Sequence, residues 1–167
     1  MPARSCFGAM SATATMAALS IPLMVSAATT TASIQIQATV ISDCSIHSAY
    51  GVNFGEIAVT ANGTDAQGVI NMACTKGTAY TIALNAGTGT GSTIENRRLS
   101  SGSETVGYQL YRDSARSLVW GETPGTDTLG QTATGGIEQH PVYGRMPGQL
   151  LPAPGTYQST VTVTITY

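Results

Sequence analysis

The sequence predicts an all-β domain, a β-sandwich built from short strands, and three observations carry that expectation. Thr, Ser, Gly and Ala dominate the 167 residues, and helical periodicity is absent beyond the first 27 or so. Apolar residues instead alternate with polar ones at period 2, as a strand with one buried face requires. Pieces rich in Gly, Pro and Asn punctuate those segments at short intervals.

Residues 1–27 read as a cleaved secretory signal peptide. Arg4 supplies the positive start, the most apolar part runs from Met16 to Val25, and Val25-Ser26-Ala27 offers a small-residue cleavage site. Cutting after Ala28 satisfies the same rule. The competing reading is a membrane anchor, but the apolar part is short against the roughly 20 residues of a span and is broken by Pro22. Cys6 lies too far from the cleavage site to serve as a lipid anchor.

Residues 28–39 form an extension ahead of the domain, which is assigned to 40–167. Ile34, Ile36, Ala38 and Val40 alternate there with Gln35, Gln37 and Thr39, an amphipathic strand. Strands are then expected from Val40 through Cys44 to Ile46 and from Val52 to Ile57. Others carry Ile70, Met72 and Cys74, and then Tyr80, Ile82 and Leu84. Later strands fall at Val106–Tyr111, Leu118–Trp120 and Pro141–Met146. Thr60–Gly68, Asn85–Ser92, Gly121–Gly136 and Pro147–Gly155 read as turns, with Gly121–Gly136 a surface loop. Gly155–Tyr167 reads as one terminal strand. Tyr157, Val161, Val163, Ile165 and Tyr167 lie on its apolar face, opposite Gln158, Thr160, Thr162, Thr164 and Thr166. An open sheet at one end and a spare strand at the other point to subunits that complete one another.

Without the leader about 140 residues remain, one domain, with six basic residues against nine acidic. That balance excludes nucleic acid as a partner, which calls for clustered Lys and Arg. In an exported chain Cys44 and Cys74 are expected to form a disulfide, contributing roughly 3–4 kcal/mol on the chain-entropy model. The alternative is a metal site built on Cys44-x-x-His47 with His140, but the second short ligand pair is missing. No cofactor is implied.

Other landmarks have plain structural readings. Trp120, the sole tryptophan, is either a sugar platform or core, and aromatic burial favours core. Tyr108 and Tyr111 are odd-spaced, so at most one is core. Gly87–Ser92 lacks the Lys-Ser/Thr of a phosphate loop. Asn62-Gly63-Thr64 matches a glycosylation sequon but is given no role, and Arg97-Arg98 reads as a solvated turn or strand end. No nucleophile elbow and no paired carboxylates stand out, so an enzyme is not expected.

Val40-x-x-x-Cys44, Asn53-Phe54-Gly55, Met72-Ala73-Cys74, Gly107-Tyr108-Gln109-Leu110-Tyr111, Trp120-Gly121 and Val142-Tyr143-Gly144-Arg145 follow one another along the chain. Gly155 then precedes Tyr167 by twelve residues. In this order they resemble the spore coat protein U domain family, which includes subunits of Csu-type archaic chaperone–usher pili. The resemblance covers essentially the whole mature chain.

The resemblance implies an incomplete immunoglobulin-like β-sandwich lacking its last strand, completed by donor-strand insertion. A periplasmic chaperone would lend a strand first, and at the outer-membrane usher the extension of an identical or related subunit would replace it. The product would be a cell-surface fibre for attachment and biofilm formation, with no membrane insertion of the subunit. Ile34, Ile36, Ala38 and Val40 are the candidate donor residues, with Val40 either the last of them or the first residue of the domain's own strand. Gly155, Tyr157, Val161, Val163, Ile165 and Tyr167 are the candidate acceptor groove and chaperone contact, although Val161, Val163 and Ile165 also read as ordinary core. The competing readings are a stand-alone secreted or coat-surface sandwich and a ligand-binding adhesin module.

Overall fold

The computed structural model describes residues 24–57, 63–150 and 153–167. Residues Thr39–Tyr167 form one compact unit. Most of the expected leader, and Asn62 of the sequon, lie outside the described residues.

Eight strands and no helix make up the described chain: β1 (Cys44–Tyr50), β2 (Thr64–Cys74), β3 (Ala79–Leu84), β4 (Arg97–Ser101), β5 (Glu104–Tyr111), β6 (Leu129–Thr132), β7 (Ile137–Met146) and β8 (Val163–Thr166). They form a five-stranded sheet in the order β1-β2-β7-β5-β4 and a three-stranded sheet in the order β6-β3-β8. Every pairing is antiparallel. This is a two-sheet sandwich, as the alternation predicts, and it is immunoglobulin-like, as the resemblance implies.

The period-2 pattern builds the core directly. Ile70 and Met72 of β2, Tyr80, Ile82 and Leu84 of β3, Tyr108 and Leu110 of β5 and Val142 of β7 meet between the sheets. Trp120 is wholly buried there, and its indole N–H donates to the Ile82 carbonyl at 2.9 Å, so the core reading holds. Tyr108 is buried and Tyr111 only partly so, as their opposite faces require. Cys44 and Cys74 face each other across β1 and β2 and are joined by the expected disulfide.

Several expectations need correction. β1 begins at Cys44, not Val40, and Val52–Ile57 is not a strand. Asn53 instead turns the chain there, its side-chain oxygen accepting from the Gly55 N–H at 2.9 Å with Gly55 at φ 73°. The turn swings Val52 and Phe54 onto the inner face of the large sheet, where Phe54 meets Tyr108 edge to face. Close approach of this segment needs glycine beneath it. A Cβ on Gly68 would lie 2.5 Å from the Tyr50 carbonyl oxygen, and one on Gly144 would strike Val52 and Phe54.

Leu118–Trp120 supplies a single bridge, Val119 to Tyr111, rather than a strand. β2 extends back to Thr64 through an expected turn, and β6 lies inside the expected Gly121–Gly136 loop. The terminal strand is short. Gln158 bridges to Ser100 of β4, and only Val163–Thr166 pairs with β3, so the chain changes sheets between them.

The largest departure is Arg97. A solvated turn or strand end is expected, and Arg97 is indeed the first residue of β4, but it is wholly buried. Its guanidinium donates to the carbonyls of Leu84, Asn85 and Trp120 and to the Gln109 side-chain oxygen at 2.7–3.1 Å. Burial draws its pKa below the ordinary arginine value, opposed by Tyr108, Asp127, Glu122 and Glu95. Hydrogen bonds on nearly every side make that burial tolerable.

Candidate functional site

β1 is one of the two outer strands of the large sheet, opposite β4, and β8 one of the two of the small sheet, opposite β6. Each pairs along one side only, so its other row of backbone groups has no strand beside it. The two edges run in opposite directions past one another. At one end the Tyr167 hydroxyl meets Asp43, just ahead of β1. Toward the other end, Tyr50 and Gly51 face Ser159 and Thr160 across a groove of about 320 Å3.

The groove is apolar because both sheets contribute inward side chains to it. Its floor includes Ile70, Leu84, Leu99, Tyr108, Leu110 and Val142. Val52 and Phe54 form the wall after β1, and Val161 and Val163 form the wall leading into β8. Ile46 lies opposite buried Met72 and so faces inward, yet it is 42% exposed. Ile46 thus presents apolar surface at the open edge of the large sheet.

The six residues expected at the acceptor groove and chaperone contact occupy different positions. Val161 and Val163 line it. Ile165 is half-buried against the core cluster beyond the lining. Gly155 is exposed in a bend, and Tyr157 is half-buried with its hydroxyl donating to the Ala153 carbonyl at 2.7 Å. Burial pushes the Tyr157 pKa up, with Glu104 adding to it. Tyr167 is exposed at the Asp43 end. Val52, Phe54, Leu99, Tyr108 and Leu110 were not assigned to it from sequence. The Asn53-Phe54-Gly55 turn was the available signal for two of them.

The candidate donor residues lie outside any strand. Ile34, Ile36 and Val40 are 85%, 87% and 82% exposed, and Ala38 is exposed with them. The chain is fixed to its own domain just beyond, where Thr75 donates its hydroxyl to the Ile41 carbonyl and its N–H to the Asp43 carbonyl.

A second polar cluster crosses the sandwich away from the groove. The Tyr80 hydroxyl donates to Glu138 at 2.6 Å and lies 3.0 Å from His140 Nε2, which must then be the donor of that pair. The Tyr80 bond, with two more from Thr134, holds Glu138 down at about 2. Burial depresses His140, and burial with the Glu138 bond raises Tyr80 well above its ordinary value. His140 is thus engaged with Tyr80 rather than with Cys44 or His47, and Cys44 is committed to the disulfide.

Two antiparallel sheets packed over one core define an immunoglobulin-like sandwich domain, and two of its unpaired edges flank an apolar groove. The chain belongs to the spore coat protein U domain family, whose model matches residues 30–164. It is 35% identical to Protein U of Myxococcus xanthus, across 84% of this chain and 87% of that protein. It also resembles a chain in the crystal structure of the CsuC–CsuE chaperone–tip adhesion subunit pre-assembly complex from archaic chaperone–usher Csu pili of Acinetobacter baumannii. That likeness has a TM-score of 0.53 and 27% identity, and it covers 77% of this chain and 40% of the other. This chain therefore spans about two-fifths of the matched chain's length.

Proposed function

We propose that this protein is a structural subunit of a chaperone–usher pilus, polymerised by donor-strand exchange. The observation that carries the reading is the apolar groove between the unpaired edges of β1 and β8. An inserted strand would satisfy both rows of backbone groups and place alternate side chains over the floor. Residues 28–40 of another copy are the occupant in the fibre, with Ile34, Ile36, Ala38 and Val40 turned inward. The donor ends at Val40, because the Ile41 carbonyl is held by its own Thr75.

Before assembly a periplasmic chaperone fills the same groove and shields it, and exchange takes place at an outer-membrane usher. The family and the likeness to a chaperone–subunit complex support this. The leader read from residues 1–27 takes the chain out of the cytoplasm, and the fibre at the cell surface serves attachment and biofilm formation. The role is structural rather than catalytic.

The test compares thermal unfolding of two chains that begin at Val40. One ends at Tyr167, and the other continues through a flexible linker into a copy of Thr30–Thr39. Burying two isoleucines contributes at most about 3–6 kcal/mol. A rise in Tm on the order of 10 °C is expected from the added copy. Equal melting temperatures would mean a self-contained sandwich, and the coat-surface reading would replace the fibre.

A further inference from the structure

The ladder between β3 and β8 stops in an unusual way. Its last full partners are Leu84 and Val163. Asn85 and Thr162 come next, and the Asn85 N–H does donate to the Thr162 carbonyl at 3.2 Å. In an antiparallel sheet the Thr162 N–H would return the bond to the Asn85 carbonyl. That carbonyl is instead taken by Arg97, whose Nε and Nη2 donate to it at 3.1 and 2.9 Å. The Thr162 N–H goes to the Asn85 side-chain oxygen at 2.9 Å, which also accepts from the Gly87 N–H at 3.0 Å.

Side chains then hold the segment that follows back toward Gln158. Thr160 N–H donates to the Thr88 hydroxyl at 2.9 Å, and the Ser159 hydroxyl accepts from Gly89 N–H at 3.2 Å. Ser159, Thr160 and Val161 are the groove wall. Arg97 thus removes the carbonyl that would extend β8 pairing, and Asn85 replaces it with a bond that turns the chain away.

We propose that Arg97 and Asn85 are the positioning pair that holds residues 158–162 as a preformed groove wall, ready for an incoming strand. This rests on the donor-strand reading above. Neither residue lines the groove, and the pair acts by fixing where β8 stops. Buried polar networks of this kind impose one arrangement when every member is satisfied.

The test uses the full chain and a labelled synthetic peptide of residues 28–40, followed by fluorescence anisotropy. Wild type is expected to bind, and Asn85→Leu to associate at least about tenfold more slowly. Asn85→Asp keeps an acceptor for both N–H groups and is expected within about threefold of wild type. A wild-type rate for Asn85→Leu overturns the positioning role, as does an Asp variant as slow as Leu. If Asn85→Leu does not fold, hydrogen exchange of the Thr162 amide in the unaltered protein decides. Protection matching the β3–β8 ladder supports the clamp, and exchange as fast as in open loops overturns it. No peptide binding by wild type at all would instead remove the donor-strand reading itself.

Discussion

The Tyr167 hydroxyl donates to the Asp43 carboxylate at 3.1 Å, tying the far side of β8 to the residue before β1. These two residues lie 124 positions apart in sequence and link the ends of the two open edges beyond the groove lining. The opposite end, at Tyr50 and Ser159, has no such tie among the described residues. On the donor-strand reading, we expect an incoming strand to enter at that end.

Removing that tie should change access more than stability. For Tyr167→Phe we expect a loss below about 1 kcal/mol, because the pair is solvent-exposed. Association of the 28–40 peptide should be unchanged or faster. A markedly slower association would show that the tie shapes the groove.

In the donor segment, Ile36→Asp should leave the domain folded with its chaperone while stopping fibre growth, since a charge would enter an apolar groove. Electron microscopy of cells expressing the variant reads this directly. Normal fibres would rule out assembly through residue 36.

Cys44→Ser should lower unfolding free energy by roughly 3–4 kcal/mol under non-reducing conditions. Chemical denaturation with and without reductant measures it. Detection of two free thiols in the exported wild type would defeat the assignment.

Gly68→Ala places a methyl 2.5 Å from the Tyr50 carbonyl oxygen, a backbone atom with little room to move. A loss of about 1–3 kcal/mol is expected, along with displacement of Val52 and Phe54 from the groove wall. Unaltered stability, with the Phe54–Tyr108 contact intact by NMR, would contradict the close approach.

Acid should weaken the fold through the Tyr80 cluster. Glu138 is held at about 2, below its ordinary 4.5, so its contribution is present above 4.5 and is lost as pH falls toward 2. His140 is also depressed by burial, so its contribution is present above its ordinary 6.5 and declines as pH falls through its lower folded value. Urea midpoints should therefore decline with acidification from about pH 6.5, and Glu138→Gln should flatten the lower limb. A Glu138→Gln profile parallel to wild type below pH 4.5 would show that this carboxylate carries none of it.

What could be read from the sequence divides along physical lines. β2, β3, β5 and β7 were legible because each repeats inward residues at period 2, as in Ile70, Met72 and Cys74. The disulfide was legible from compartment and cysteine count. Arg97 was not, because its partners Leu84, Asn85, Gln109 and Trp120 come together only in the folded sandwich. Two adjacent arginines look solvated until six carbonyl and amide oxygen contacts are assembled around one of them. Val52 and Phe54 alternate like a strand, but the Asn53 turn bends them into the groove. Val161 and Val163 were placed on the wall by alternation, while the floor came from strands that read as ordinary core.

The disulfide also sets a path for mechanical load. A pull applied ahead of Cys44 reaches the covalent link to Cys74 before it can peel β1 from its neighbour. Force then passes into β2, which is clasped on both sides by β1 and β7. An edge strand that would otherwise peel from its first residue is anchored there by a covalent bond. Tension on the segment before Cys44 is thereby carried by a covalent bond into a strand paired on both sides.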